Sequence, residues 1–236
     1  FLASRFIESG WSVKSMHRMI LLSQTWRLSS VDVEANHRID PNNELFWRFA
    51  RRRLDAESIR DAMLFVSGEL DESPPPAHPV PPQHTWGWTQ HNPFVANYET
   101  KRRSVYLMQQ RLRRNPYLAL FDGPDPSSST GVRLLSTTPL QALFMMNDPL
   151  AHASAEKLAA RALASGPDET ARLDFAWTTA WSRPPEPEER AEAIEFLKRY
   201  QATLRDMKTP ANEVERGALA ALSRSLLAAN EFVYID

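Results

Sequence analysis

The chain has 236 residues, a formal net charge of -1 and a sequence pI near 6.7, with 42% hydrophobic and 24% charged residues. Those values suit a soluble globular protein with a substantial core, and they leave no overall field to draw nucleic acid or an anionic membrane. The absence of cysteine removes disulfides, thiolate metal sites, thiol nucleophiles and covalent haem attachment, and no apolar run approaches the ~20 residues that span a bilayer.

At the N-terminus, Phe1, Leu2, Phe6 and Ile7 read as a helix stopped near Gly10. The chain starts inside this element and without methionine, so the sequence is expected to be an N-terminally truncated fragment of a longer protein. Ser12 caps a second helix, in which Val13, Met16, Met19 and Ile20 run toward Trp26 at helical spacing. Residues 29–43 are polar and close on the turn signal Asp40-Pro41-Asn42-Asn43.

The strongest local grammar lies at 53–67. Asp55 is placed to accept the backbone N–H of Ser58, and Leu54 and Ile59 form a hydrophobic staple around that cap. Ile59, Ala62, Met63 and Val66 share one face, Glu57, Arg60 and Asp61 another, and Gly68 supplies a left-handed stop. Residues 71–97 then break the pattern with seven prolines, among which stand His78, His84, His91, Trp86 and Trp88; this reads as a long loop or lid. Arg103–Met108 is the best strand candidate, and Tyr117–Phe121 a short apolar element before the loop Asp122–Ser129.

The second half announces its helices. Thr138-Pro139-Leu140-Gln141 combines an N-cap, a proline at the first helical position and a capping-box glutamine. Asp148-Pro149 restarts a helix that runs to Gly166, and Asp168 opens another. Pro184-Pro185 ends that one, and Glu186, Glu188 and Glu189 suit the next N-terminus. A last helix is expected from about Glu213 to Asn230.

Four sets of residues are candidates to carry chemistry. Arginines of the 53–67 helix could hold an anion, although Arg53–Glu57 and Glu57–Arg60 are also helix-spaced pairs that neutralise one another. Asp122, Asp125 and Ser127 could ligate a hard cation or supply two carboxylates for hydrolysis, and are equally ordinary turn residues. His78, His84 and His91 match no zinc spacing, and no nucleophile elbow, phosphate loop or dinucleotide fingerprint is present. The basic residues between Lys101 and Arg114 flank aromatic side chains, but the neutral overall charge argues against nucleic acid.

Taken in order, the blocks Gly10-Trp11-Ser12-Val13-Lys14, Arg51-Arg52-Arg53-Leu54-Asp55-Ala56-Glu57-Ser58-Ile59-Arg60-Asp61-Ala62 and Ser67-Gly68-Glu69-Leu70-Asp71 resemble the planctomycete PSD-one family, domain of unknown function 1553. So do Arg102-Arg103-Ser104-Val105-Tyr106, Phe121-Asp122-Gly123-Pro124-Asp125-Pro126-Ser127, Thr137–Leu143 and the closing Asn230–Asp236. The sequence departs from the pattern at Gly131–Leu134, where a basic pair is expected, and at Ala229, where asparagine is. The resemblance implies a domain at the C-terminal end of a large planctomycete protein, behind a companion domain and often with a cytochrome-c-like domain. It implies a place outside the cytoplasm, in the periplasm or at the cell surface, with haem confined to a separate upstream domain and no cofactor in this fragment.

The expected architecture is therefore one mainly α, multi-helix domain over 1–236, with at most one small strand pair and the proline/tryptophan loop at 71–97. No catalytic residue and no metal ligand is assigned. The candidate polar site is Arg53, Glu57, Arg60, Asp61, Asp122, Asp125 and Ser127. The leading reading is an accessory or interaction domain of an extracytoplasmic, cytochrome-associated protein, docking on its own upstream domains and open to a polysaccharide or protein ligand. The alternatives are a hydrolase acting on polysaccharide or another extracellular polymer, with Trp86 and Trp88 stacking sugars, and an electron-transfer docking module. Neither nucleic acid nor a membrane span is expected.

Overall fold

The computed structural model describes residues 1–78, 82–89, 91, 99–111 and 113–235. Among them the fold is mainly α: eleven helices and one two-stranded antiparallel sheet, which pairs β1 (Arg52–Arg53) with β2 (Tyr234–Ile235). The chain divides into two compact units, residues 1–52 with 234–236, and residues 53–233.

The first unit carries α1 (Leu2–Glu8), α2 (Val13–Leu21) and α3 (Glu34–Ile39). Ser12 caps α2 as its sequence predicts, accepting the N–H of Ser15 at 3.2 Å. The Asp40 turn is also built as expected, with its carboxylate accepting the N–H groups of Glu44 and Leu45 at 2.9 and 2.8 Å. The helix α3 was not expected, because its N-cap Val33 makes no side-chain cap. Asp40 is the only buried residue of 1–52, while Trp11, Leu22, Ile39, Leu45 and Phe46 are exposed.

The second unit holds α4 (Ala56–Ser67), α5 (Pro116–Leu120), α6 (Pro139–Asn147), α7 (Pro149–Ser165), α8 (Glu169–Trp181), α9 (Pro187–Asp206), α10 (Ala211–Ala228) and α11 (Asn230–Val233). The helix-start signals of this region have structural counterparts. Asp55, Thr138, Asp148 and Asp168 accept N–H groups in the first turns of α4, α6, α7 and α8, and Gly68 ends α4 at φ 75°. Alanines at 151, 155, 159, 162 and 218 are at most 1% exposed, and such small side chains let α7 and α10 lie close to their neighbours. One core gathers Ile59, Met63 and Val66 of α4 with Leu158, Phe121, Met145 and Phe232; a second gathers Leu173 and Trp177 of α8 with Leu197, Leu222 and Leu226. Burying a side chain such as Ile59 completely contributes about 1.5–3 kcal/mol.

One expectation changes here, and another falls partly outside the described residues. The strand proposed at 103–108 is a 3₁₀ turn at Ser104–Tyr106. Of the loop at 71–97, Pro79, Val80, Pro81, Gln90 and residues 92–97 lie outside the described residues. Its described part contains one 3₁₀ turn, Gln83–Thr85, and a Trp86–Trp88 pair with ring centroids 4.7 Å apart.

Candidate functional site

Asp55 starts α4, so the register of the helix decides where its charges point. Arg53 precedes the cap and enters the core, its side chain 5% exposed. Its Nη2 donates to Asp122 Oδ2 at 2.7 Å, and the guanidinium lies 5.7 Å from the centroid of the Phe121 ring. Nε and Nη1 of Arg53 find no hydrogen-bond partner among the described residues. The partner carboxylate is held by a tight turn. Asp122 takes a left-handed φ of 61°, and Gly123 follows because a Cβ there would stand 2.7 Å from the Leu118 carbonyl oxygen.

Asp122 is then saturated with donors. The N–H and hydroxyl of Ser136 both reach it at 2.8 Å, and the Gln141 amide at 3.4 Å. Burial raises its pKa, but the two Ser136 bonds and the Arg53 charge outweigh that effect and hold the carboxyl below its ordinary range. Gln141 also completes the α6 capping box and donates to the Leu120 carbonyl at 2.9 Å, so one side chain ties the helix start to the aspartate turn.

Glu57, in the first turn of α4, meets a partner the sequence did not suggest. Arg133 forks onto it at 2.7 and 2.9 Å and lies 4.0 Å from Asp55. The Glu57 hydrogen bonds raise the Arg133 pKa further. This arginine stands in the segment that departs from the family pattern.

Arg60 and Asp61 face another stretch. Nη1 of Arg60 donates to the Arg102 carbonyl at 3.0 Å and the Ser104 hydroxyl at 3.1 Å, and Nη2 to the Thr100 carbonyl. Asp61 accepts the N–H and hydroxyl of Ser104 at 2.8 and 2.7 Å. The Asp61 bond takes the backbone N–H of Ser104, one of the groups that a strand at 103–108 would offer to a neighbour, and Ser104 opens the 3₁₀ turn instead. Burial lowers the Arg60 pKa, with Asp61 at 3.9 Å acting against it. Beside them Tyr117 donates its hydroxyl to the Ala56 carbonyl at 2.8 Å, and burial raises its pKa.

The predicted site residues thus fall into four groups. Arg53 and Asp122 join, Glu57 joins Arg133, and Arg60 and Asp61 hold residues 100–104. Asp125 and Ser127 form a local turn, with Ser127 N–H on Asp125 at 2.8 Å and the Ser127 hydroxyl on the Arg111 carbonyl at 2.6 Å; among the described residues no bond links them to α4. The described residues contain no group of three or more His, Cys, Asp or Glu side chains placed to hold a metal ion. The sequence reading missed Arg133, Ser136 and Ser104, none of which carries a local signal of its partner.

The second unit is thus a helical one in which the charges of the α4 site are bonded internally. The chain itself belongs to the PSD1 family, described as a protein of unknown function (DUF1553), whose model matches residues 1–197. No match was found among curated proteins or among solved structures.

Proposed function

We propose that the chain is a non-catalytic accessory and interaction domain of an extracytoplasmic, cytochrome-associated multidomain protein, docking on that protein's upstream domains. The observation that carries this reading is the engagement of the α4 and loop carboxylates. Asp55 caps its helix, Glu57 is forked by Arg133, Asp61 holds Ser104, and Asp122 binds Arg53 and Ser136. A glycosidase needs one carboxyl protonated near neutrality and another ready to attack or activate water. The pKa of Asp122 moves the opposite way, downward. Trp86 and Trp88 pack ring against ring, which favours a packing role over a paired sugar platform.

Exposed apolar residues of α6 support this reading as a docking surface. Leu140, Leu143 and Met146 recur every third residue and are 64%, 51% and 59% exposed, and Val132 and Leu134 are exposed nearby in sequence. The extracytoplasmic setting and the cytochrome-c-like neighbour rest on the family resemblance. Calorimetric titration of the chain with the separately expressed upstream segment tests the proposal. Leu143→Glu combined with Met146→Glu should weaken binding at least ~10-fold. Unchanged binding, or polysaccharide cleavage that Asp122→Asn abolishes, would overturn it.

A further inference from the structure

Between α4, α5, the start of α7 and residues 99–107 lies a cavity of about 820 Å³ that the charged pairs do not use. That volume falls in the range of small-molecule sites. Its apolar lining comes from Leu64, Leu107, Tyr117, Leu120, Phe144 and Leu150.

The charges around it cancel. Arg60, Lys101 and Lys157 face Glu69, Glu99 and Asp148. Glu69 pairs with Lys101 and, at 3.6 Å, with Lys157. Asp148 accepts the Leu150 N–H as the cap of α7, and both terminal nitrogens of Arg60 are bonded to the 100–104 segment. Glu99 is exposed at the rim, and inside it a charged ligand would have to break an existing pair or bury an uncompensated charge. Of the buried polar side chains on its lining, Arg60 and Ser67 are already bonded to backbone carbonyls. Ser154 lines the cavity, is 3% exposed, and its hydroxyl has no hydrogen-bond partner among the described residues. A serine at that place on α7 gives a ligand one donor and one acceptor at the wall of an otherwise greasy chamber.

We infer that this cavity is a binding site for an uncharged, largely apolar small molecule carrying one hydroxyl or carbonyl oxygen, which Ser154 recognises. Ala153, exposed and also on the lining, stands where a bulky side chain would obstruct the cavity without entering the core.

The test uses the whole chain and the neutral fluorophore N-phenyl-1-naphthylamine, displaced by decan-1-ol or by decanoate. The expected result is saturable fluorescence enhancement, displacement by decanol, and displacement by decanoate weaker by at least ~10-fold. Ala153→Trp, with its helical circular dichroism retained, should abolish the enhancement. Ser154→Ala should keep the fluorophore bound while decanol loses about a factor of ten. Equal displacement by decanoate overturns the neutral ligand, an unchanged decanol affinity in Ser154→Ala overturns the role of the hydroxyl, and full enhancement in a folded Ala153→Trp places the probe elsewhere and overturns the site. If Ala153→Trp does not fold, the Ser154→Ala comparison decides.

Discussion

Arg53 and Asp122 stand 69 residues apart in the chain and 2.7 Å apart in the fold, joining the entry of α4 to the turn after α5. The arginine is the more deeply placed partner, with 5% of its side chain exposed against 21% for the aspartate. Asp122→Asn keeps the left-handed backbone, which asparagine tolerates, and removes only the charge. It should cost about 2–3 kcal/mol, somewhat less than the loss of a partner in a fully buried pair, because the arginine stays behind unpaired. Adding Arg53→Met should recover at least half of that loss. Urea denaturation of the single and double variants measures both, and a double variant as unstable as the single one would show that the arginine is not the source of the penalty.

The parts of this molecule that were legible from sequence are those whose cause is local. Asp55, Thr138, Asp148 and Asp168 each act on N–H groups two or three residues away, so the helices they start could be read directly. Helix α3 has no such cap and was invisible. Arg133 and Glu57 are 76 residues apart, and neither residue's neighbourhood encodes the other. The segment 103–108 misled because Val105, Tyr106 and Leu107 have strand propensity, whereas Arg60 and Asp61 decide its backbone from a distance. The charged character of the candidate site was thus readable, and its division into four groups was not.

Arg183 clamps two carboxylates at once, Glu189 at 2.7 Å by two nitrogens and Glu231 at 2.6 and 3.0 Å, tying α9 and α11 to the end of α8. The Arg183 hydrogen bond lowers the Glu189 pKa from 4.5 to about 2. A carboxyl lowered in the folded state stabilises it above the unfolded value and loses that contribution as pH falls through the folded one. Between about pH 4.5 and 2, stability should fall by roughly 1 kcal/mol more in the native chain than in Glu189→Gln, a figure discounted for solvent screening of a partly exposed pair. Denaturation midpoints of both proteins across that interval check the sign, and parallel curves would refute it.

Gly123 and Glu57 offer a contrast in cost. A methyl group at Gly123 meets the backbone and Cβ of Leu118 at 2.7 and 2.8 Å, neither of which can swing away. Gly123→Ala should therefore destabilise by more than ~1 kcal/mol. Glu57→Gln breaks a fork that is 34% and 23% exposed on its two sides and should cost less than ~1 kcal/mol. Thermal unfolding of the two variants side by side should rank Gly123→Ala clearly lower.

Asp61 holds the Ser104 turn through one oxygen, accepting both its N–H and its hydroxyl. Asp61→Asn keeps an acceptor in place and should lose about 1 kcal/mol, whereas Asp61→Ala strands a partly buried N–H and should lose about 2 kcal/mol. The difference has a local signature, because residues 100–104 are also fastened by Arg60. In Asp61→Ala, amide hydrogen exchange at Ser104 should accelerate by at least ~10-fold, while amides in the middle of α10 change only with global stability. Exchange that rises equally everywhere would mean that Asp61 contributes to the fold as a whole and does not specifically hold the turn. A rise confined to 100–104 would establish the two charged residues of α4 as the fastening of that segment.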